Sequence, residues 1–126
     1  MAAFRVIGSP GFEQDEERLR KRARTSFDRG YHPQGTARQL VAILASGDRT
    51  EELRRLEVPT LVVHGTEDPL IDVSGGRATA EAIPGSRLEL FEGMGHDLPR
   101  VLWPRFVELI AENAERAGLP AGREAS

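Results

Sequence analysis

The chain has 126 residues, enough for one ordinary domain, and its 39% hydrophobic and 29% charged residues are the composition of a globular protein rather than a disordered one. A formal net charge of −3 offers no electrostatic case for nucleic acid or an anionic membrane surface. There is no cysteine, which excludes disulfides, thiolate zinc sites and a cysteine nucleophile.

Met1-Ala2-Ala3-Phe4-Arg5 lacks the pattern of a secretory signal. The longest apolar stretch, around Leu40 to Ala45, is too short to span a bilayer. The expectation is a cytoplasmic protein without membrane or nucleic-acid partners.

After a Ser9-Pro10-Gly11 turn, acids at Glu13, Asp15, Glu16 and Glu17 precede bases at Arg18, Arg20, Lys21, Arg22 and Arg24. That order suits a helix dipole. Leu19, Ala23 and Phe27 give the helix a narrow apolar stripe, and Gly30 stops it. Pro33 suits the first turn of a second helix with Ala37, Leu40, Val41 and Leu44 on one face, ended by Ser46-Gly47. Asp48, with Glu51 three residues on, predicts a capped third helix through Leu53 and Leu56. Three short helices with thin apolar faces cannot hide those faces among themselves. They must lie on something.

The register changes near Val58-Pro59. Leu61-Val62-Val63 is a continuous apolar run stopped by Gly65, as expected of a strand buried on both faces. Asp72 or Ser74 can cap a helix through Ala78 and Ala82 to Ile83, and Arg87 to Phe91 predicts a second strand. Strand, helix and strand within about thirty residues is the size of a βαβ unit. A last helix is expected from Pro104, with Phe106, Leu109, Ile110, Asn113 and Ala117 on one face; Trp103, preceding proline, should stand outside its regular part. Gly118-Leu119-Pro120 ends it. A parallel pair needs flanking strands, and this chain offers no others. The expectation is part of a larger domain, partly uncovered and prone to self-association through its open sheet edge.

Two segments stand out for chemistry: His64-Gly65-Thr66-Glu67-Asp68-Pro69 and Glu92-Gly93-Met94-Gly95-His96-Asp97. Each follows a strand, and parallel strands open on one edge, where α/β sheets place their sites. An acid there can accept from one imidazole nitrogen and leave the other as a general base. Asp68 and His96 are the candidate pair. Glu67 and Asp72 compete for the acid's role, although each is more simply a loop or cap residue. Asp97 is expected to cap or face solvent. Tyr31 and His32 share a turn that could face a substrate but is more simply a surface turn. His64, Glu67, Asp68 and His96 could in principle gather round a metal, but their spacing matches no known ligand pattern. No metal and no cofactor is expected.

From Val58 to about Ala117 these motifs resemble the C-terminal end of an α/β-hydrolase. Val58-Pro59-Thr60-Leu61-Val62-Val63-His64-Gly65 resembles the penultimate core strand, Asp68 the triad acid, His96 the triad histidine, and the helix from Pro104 the closing helix. Residues 1–57 resemble the last part of a helical lid with its return to the core; 58–118 would be core, and 119–126 a disordered tail. Gly8-Ser9-Pro10-Gly11 and Gly35-Thr36-Ala37-Arg38-Gln39-Leu40 resemble the small esterase branch that includes aclacinomycin methylesterase-like proteins. The resemblance implies a partial α/β-hydrolase fold and cleavage of a small-molecule ester or lactone by the complete protein, with Asp68 orienting His96. The departure is large. A nucleophile elbow reads Gly-x-Ser-x-Gly, and Ser9, Ser26, Ser46, Ser74, Ser86 and Ser126 all lack a glycine two residues before them. The chain by itself is therefore expected to be inactive, either as the C-terminal part of a hydrolase or as a non-catalytic remnant seated on a partner chain.

Overall fold

A computed structural model describes residues 6–118. The expected tail at 119–126 and the residues read for a leader at 1–5 lie outside the described residues. The helices are α1 (Glu16–Arg29), α2 (Pro33–Ser46), α3 (Thr50–Leu53), α4 (Val73–Ala82) and α5 (Trp103–Arg116); the strands are β1 (Leu61–Gly65) and β2 (Arg87–Phe91). A short 3₁₀ turn, Arg100–Leu102, leads into α5.

Local chemistry explains most boundaries. Asp15 caps α1 by accepting from the Arg18 amide at 2.9 Å, satisfying one of the donors a helix start leaves unpaired. Pro33 opens α2, and Gly47, at φ 65°, lets the chain leave it. Asp72 caps α4 through the Ser74 amide at 2.9 Å. Two boundaries differ from expectation. α3 stops at Leu53, with Leu56 beyond it, and Arg49 holds its cap position. Asp48 instead closes a local turn on the Thr50 amide at 2.8 Å, and Glu51 pairs with Arg54 rather than reaching back. Trp103 is the first residue of α5, not a residue before it, because the 3₁₀ turn delivers it already in helical conformation.

β1 and β2 pair in parallel, Leu61 against Arg87 through Gly65 against Phe91, as a two-stranded sheet. α4 and α5 cover opposite faces. His64 on β1 meets α4 so closely that a Cβ on Gly76 would lie 2.7 Å from its ring. On β2 the other face turns to α5: the Phe91 and Phe106 rings meet edge-on at 5.0 Å, Arg87 pairs with Glu112, and Glu89 lies 3.9 Å from Arg105. Strand alternation separates these two sets of side chains. The buried apolar residues, Ile83, Met94, Phe106 and Leu109, all belong to this part. Ile110, expected on the same face as Phe106, is instead 62% exposed, since two strands are too narrow a floor for the whole stripe. Asn113 donates to the Pro59 carbonyl at 3.0 Å and ties α5 to the start of β1.

Helices α1, α2 and α3 bury no residue. Phe27 stacks on Tyr31 at 5.3 Å, and Leu40, Val41 and Leu44 stay exposed. Residues 7–11 behave differently. They lie against the loop that follows β2, with Gly8 and Ser9 buried. No helix among the described residues is long and apolar enough to cross a membrane.

Candidate active site

The loops after β1 and β2 leave the same edge of the sheet and are laced together. The Thr66 amide donates to the Phe91 carbonyl at 3.0 Å, the Gly93 amide to Thr66 Oγ1 at 3.2 Å, and the Glu67 amide to the Met94 carbonyl at 2.9 Å. The crossing is tight enough to require glycine. A Cβ on Gly65 would stand 2.1 Å from the Met94 carbonyl oxygen, and Gly93 turns with φ 72°.

Across this lacing Asp68 Oδ2 and His96 Nδ1 lie 2.7 Å apart. Asp68 Oδ1 is held from the other side by the Leu70 and Ile71 amides at 2.8 and 3.0 Å, so the carboxylate is aimed before it meets the histidine. Burial pushes the Asp68 carboxyl up, but the bonds from Ile71, His96 and Leu70 outweigh it and hold it below its ordinary value. A carboxylate only accepts, so Nδ1 donates, and the neutral ring carries its lone pair on Nε2. The Asp68 side chain is 7% exposed while that of His96 is 44% exposed. An anchored acid beside a reachable imidazole is an arrangement able to work as a general base.

His96 stands between two cavities. One, of about 410 Å³, is walled by Phe12, Leu19, Leu98 and Trp103 and carries Arg18 and Arg100. Those guanidinium carbons lie 4.7 and 5.5 Å from the centroid of the Trp103 ring. The other, of about 350 Å³, is lined by Val63, His64, Ile71 and Met94.

Other sequence candidates go elsewhere. Asp72 caps α4, and Glu67 contributes its amide to the lacing. His64 Nδ1 donates to the carbonyl of Gly65 at 2.8 Å. Neither cavity includes Tyr31 or His32. Among the described residues no three acidic or histidine side chains are arranged to hold a metal. Asp97, expected to cap or face solvent, instead accepts from the Ser9 hydroxyl. Sequence reasoning missed that partnership; the available signal was the pair of glycine-flanked segments, 8–11 and 93–95, small enough to let two backbones touch.

A profile of the family described as serine aminopeptidase, S33 matches residues 12–100, well over half of the chain. The chain belongs to this α/β-hydrolase family. Among its relatives, the non-heme chloroperoxidase CPO-A1 of Kitasatospora aureofaciens is 40% identical over 55 residues, covering 43% of this chain and 20% of that protein. A non-heme chloroperoxidase of Streptomyces lividans is 30% identical over 77 residues, 57% of this chain and 28% of its own length. The crystal structure of an esterase from Rhodococcus sp. ECU1013 is 35% identical, with a TM-score of 0.49, over 55% of this chain and 25% of that one. The matches thus span between 14% and 28% of the length of these relatives.

Proposed function

We propose that Asp68 and His96 are the orienting acid and general base of a serine-type hydrolase acting on small carboxylic esters or lactones. The observation that carries this reading is the 2.7 Å approach of Asp68 Oδ2 to His96 Nδ1. With Nδ1–H given to the carboxylate, Nε2 keeps its lone pair for the proton of a nucleophilic serine. The serine attacks the ester carbonyl, His96 takes its proton and passes it to the leaving alkoxide, and water cleaves the acyl-enzyme. Asp68 stays ionised and stabilises the imidazolium. The nucleophile lies outside residues 1–126 in this reading, since no serine here stands in Gly-x-Ser-x-Gly. Relatives named monoacylglycerol lipase and bifunctional esterase/perhydrolase support ester over peptide substrates.

The test is a chimera in which residues 58–118 replace the matching segment of the Kitasatospora chloroperoxidase, assayed beside the 126-residue chain. The substrates are a p-nitrophenyl ester and an aminoacyl p-nitroanilide. The expected result is ester turnover by the chimera alone, reduced about 10⁴-fold by Asp68→Asn and at least as much by His96→Ala. Ester turnover by the 126-residue chain, abolished by His96→Ala, overturns the external nucleophile. Turnover of the anilide without the ester overturns the substrate class.

A second reading rests on the two-stranded sheet with its exposed Leu40, Val41 and Leu44. It holds that the chain is a non-catalytic remnant, seated on a partner chain that supplies the missing strands. Inert chimeras with a stable 1:1 complex between this chain and a relative's N-terminal segment would favour it.

A further inference from the structure

The loop that carries His96 is glycine-rich, and its internal anchor is the buried Met94. Gly93 and Gly95 flank Met94, and the lacing to the β1 loop ends at the Met94 carbonyl. On both sides of that point the chain is also held by residues 7–11, more than eighty positions away. The Gly11 amide donates to the Gly93 carbonyl at 2.9 Å, and the His96 amide to the Ile7 carbonyl at 2.7 Å. Between them Ser9, 2% exposed, accepts from the Gly95 amide at 2.9 Å and donates to the Asp97 carboxylate. The residue before His96, His96 itself and the residue after it are thus each bound to residues 7–9. A Cβ on Gly95 would sit 2.5 Å from the Gly8 carbonyl oxygen, and one on Gly11 would sit 2.7 Å from the Gly93 Cα. No side chain longer than hydrogen fits at these approaches.

A serine hydroxyl has one proton to give and lone pairs to accept with. Here both capacities are used, in opposite directions, on the two chain neighbours of the candidate base. The hydroxyl is buried, so no water replaces it readily when it is removed. We propose that Ser9 is a positioning residue for His96: its hydroxyl, clasped between the Gly95 amide and the Asp97 carboxylate, fixes the turn that aims the imidazole at Asp68. This rests on the reading of Asp68 and His96 as the acid and base. It adds that the segment entering the helical half of the chain sets the aim of the histidine.

The three histidines of the chain supply the experiment. Their tautomers are read in the full 126-residue protein from long-range ¹H–¹⁵N correlations, at a pH where all three rings are neutral. Free imidazole prefers its proton on Nε2, and a hydrogen bond from Nδ1 reverses that preference. Wild-type His96 and His64 are both expected as Nδ1–H, the first through Asp68 and the second through the Gly65 carbonyl. In Ser9→Ala and Asp97→Ala, His96 is expected to move to mainly Nε2–H while His64 keeps its wild-type signature. Asp97→Asn, which retains an acceptor for the Ser9 hydroxyl, restores the Nδ1–H form. His96 unchanged in both alanine variants overturns the positioning role and leaves the acid–base pair standing. Loss of the His64 signature in both alanine variants also overturns it, because the contact is then only structural. Wild-type His96 found as Nε2–H overturns the pair itself, and the proposal with it.

Discussion

The helices at residues 16–53 and the elements at residues 61–116 both carry apolar stripes, yet only the second set buries any of them. Leu109 is fully buried against the sheet, whereas Leu44, on an equally regular helix, is 75% exposed. Periodicity tells which residues share a face; it does not say what covers that face. The second set meets its cover within the chain, because a βαβ unit returns its helix to its own strands. The first set finds little: its short third helix packs on α4, and Arg18 of α1 lies over the Trp103 ring.

Core truncation should separate the halves most widely. Leu109→Ala is expected to lose about 2–5 kcal/mol of stability, and Leu44→Ala less than about 0.5 kcal/mol, by urea denaturation followed by circular dichroism. Equal losses would mean that the helical half is packed after all. Next in size, Gly65→Ala should cost about 3 kcal/mol, because the new methyl meets a backbone oxygen that has no room to retreat. Gly47→Ala tests the other half: nothing lies within 4 Å of the added carbon, and only the left-handed φ of 65° opposes it. It should cost no more than about 2 kcal/mol. A larger loss at Gly47 than at Gly65 would reverse the ranking of the two regions.

Acid should act on both halves. Asp68, Asp48 and Asp72 have carboxyls held below the ordinary value of 3.8. A lowered folded-state value stabilises the fold above the unfolded value, and that contribution disappears as pH falls through the folded one. Stability should therefore be insensitive to these groups at neutral pH and decline once the pH drops below 3.8. Asp68→Asn should flatten part of that decline, measured as melting temperature against pH. The smallest effect is expected at the surface pair Arg20–Glu16, 3.2 Å apart on α1, whose double-mutant coupling should be at most about 0.5 kcal/mol and fade in high salt.

How much was legible in the sequence follows the range of each interaction. The strand–helix–strand order and the Asp68–His96 meeting were legible, because one crossover fixes which edge both loops share. The end of α3 was not, since Leu56 continues the apolar spacing while the chain already turns toward Pro59. Ile110 continues the spacing of α5 in the same way, but the width of the sheet decides its exposure. Ser9 and Asp97, 88 residues apart, could not be paired from spacing. Only packing brings them together, and the glycines that permit it read locally as ordinary turn residues.

Trp103 has a use that follows from its position. It is the one tryptophan in the chain, and its ring is touched by Arg18 from the helical half and Arg100 from the loop beyond His96. Its indole nitrogen donates to the Leu98 carbonyl at 3.0 Å, which ties the ring to the same loop. Excited at the red edge of protein absorption, the molecule therefore emits from one spot, at the seam where its two halves meet. If the helices lift from the sheet, the guanidinium of Arg18 leaves the ring and water takes its place. The emission should then shift to longer wavelength while the far-ultraviolet ellipticity of both halves persists. The protein thus carries a built-in optical gauge of that seam, and separation of the halves can be followed in real time without attaching a dye.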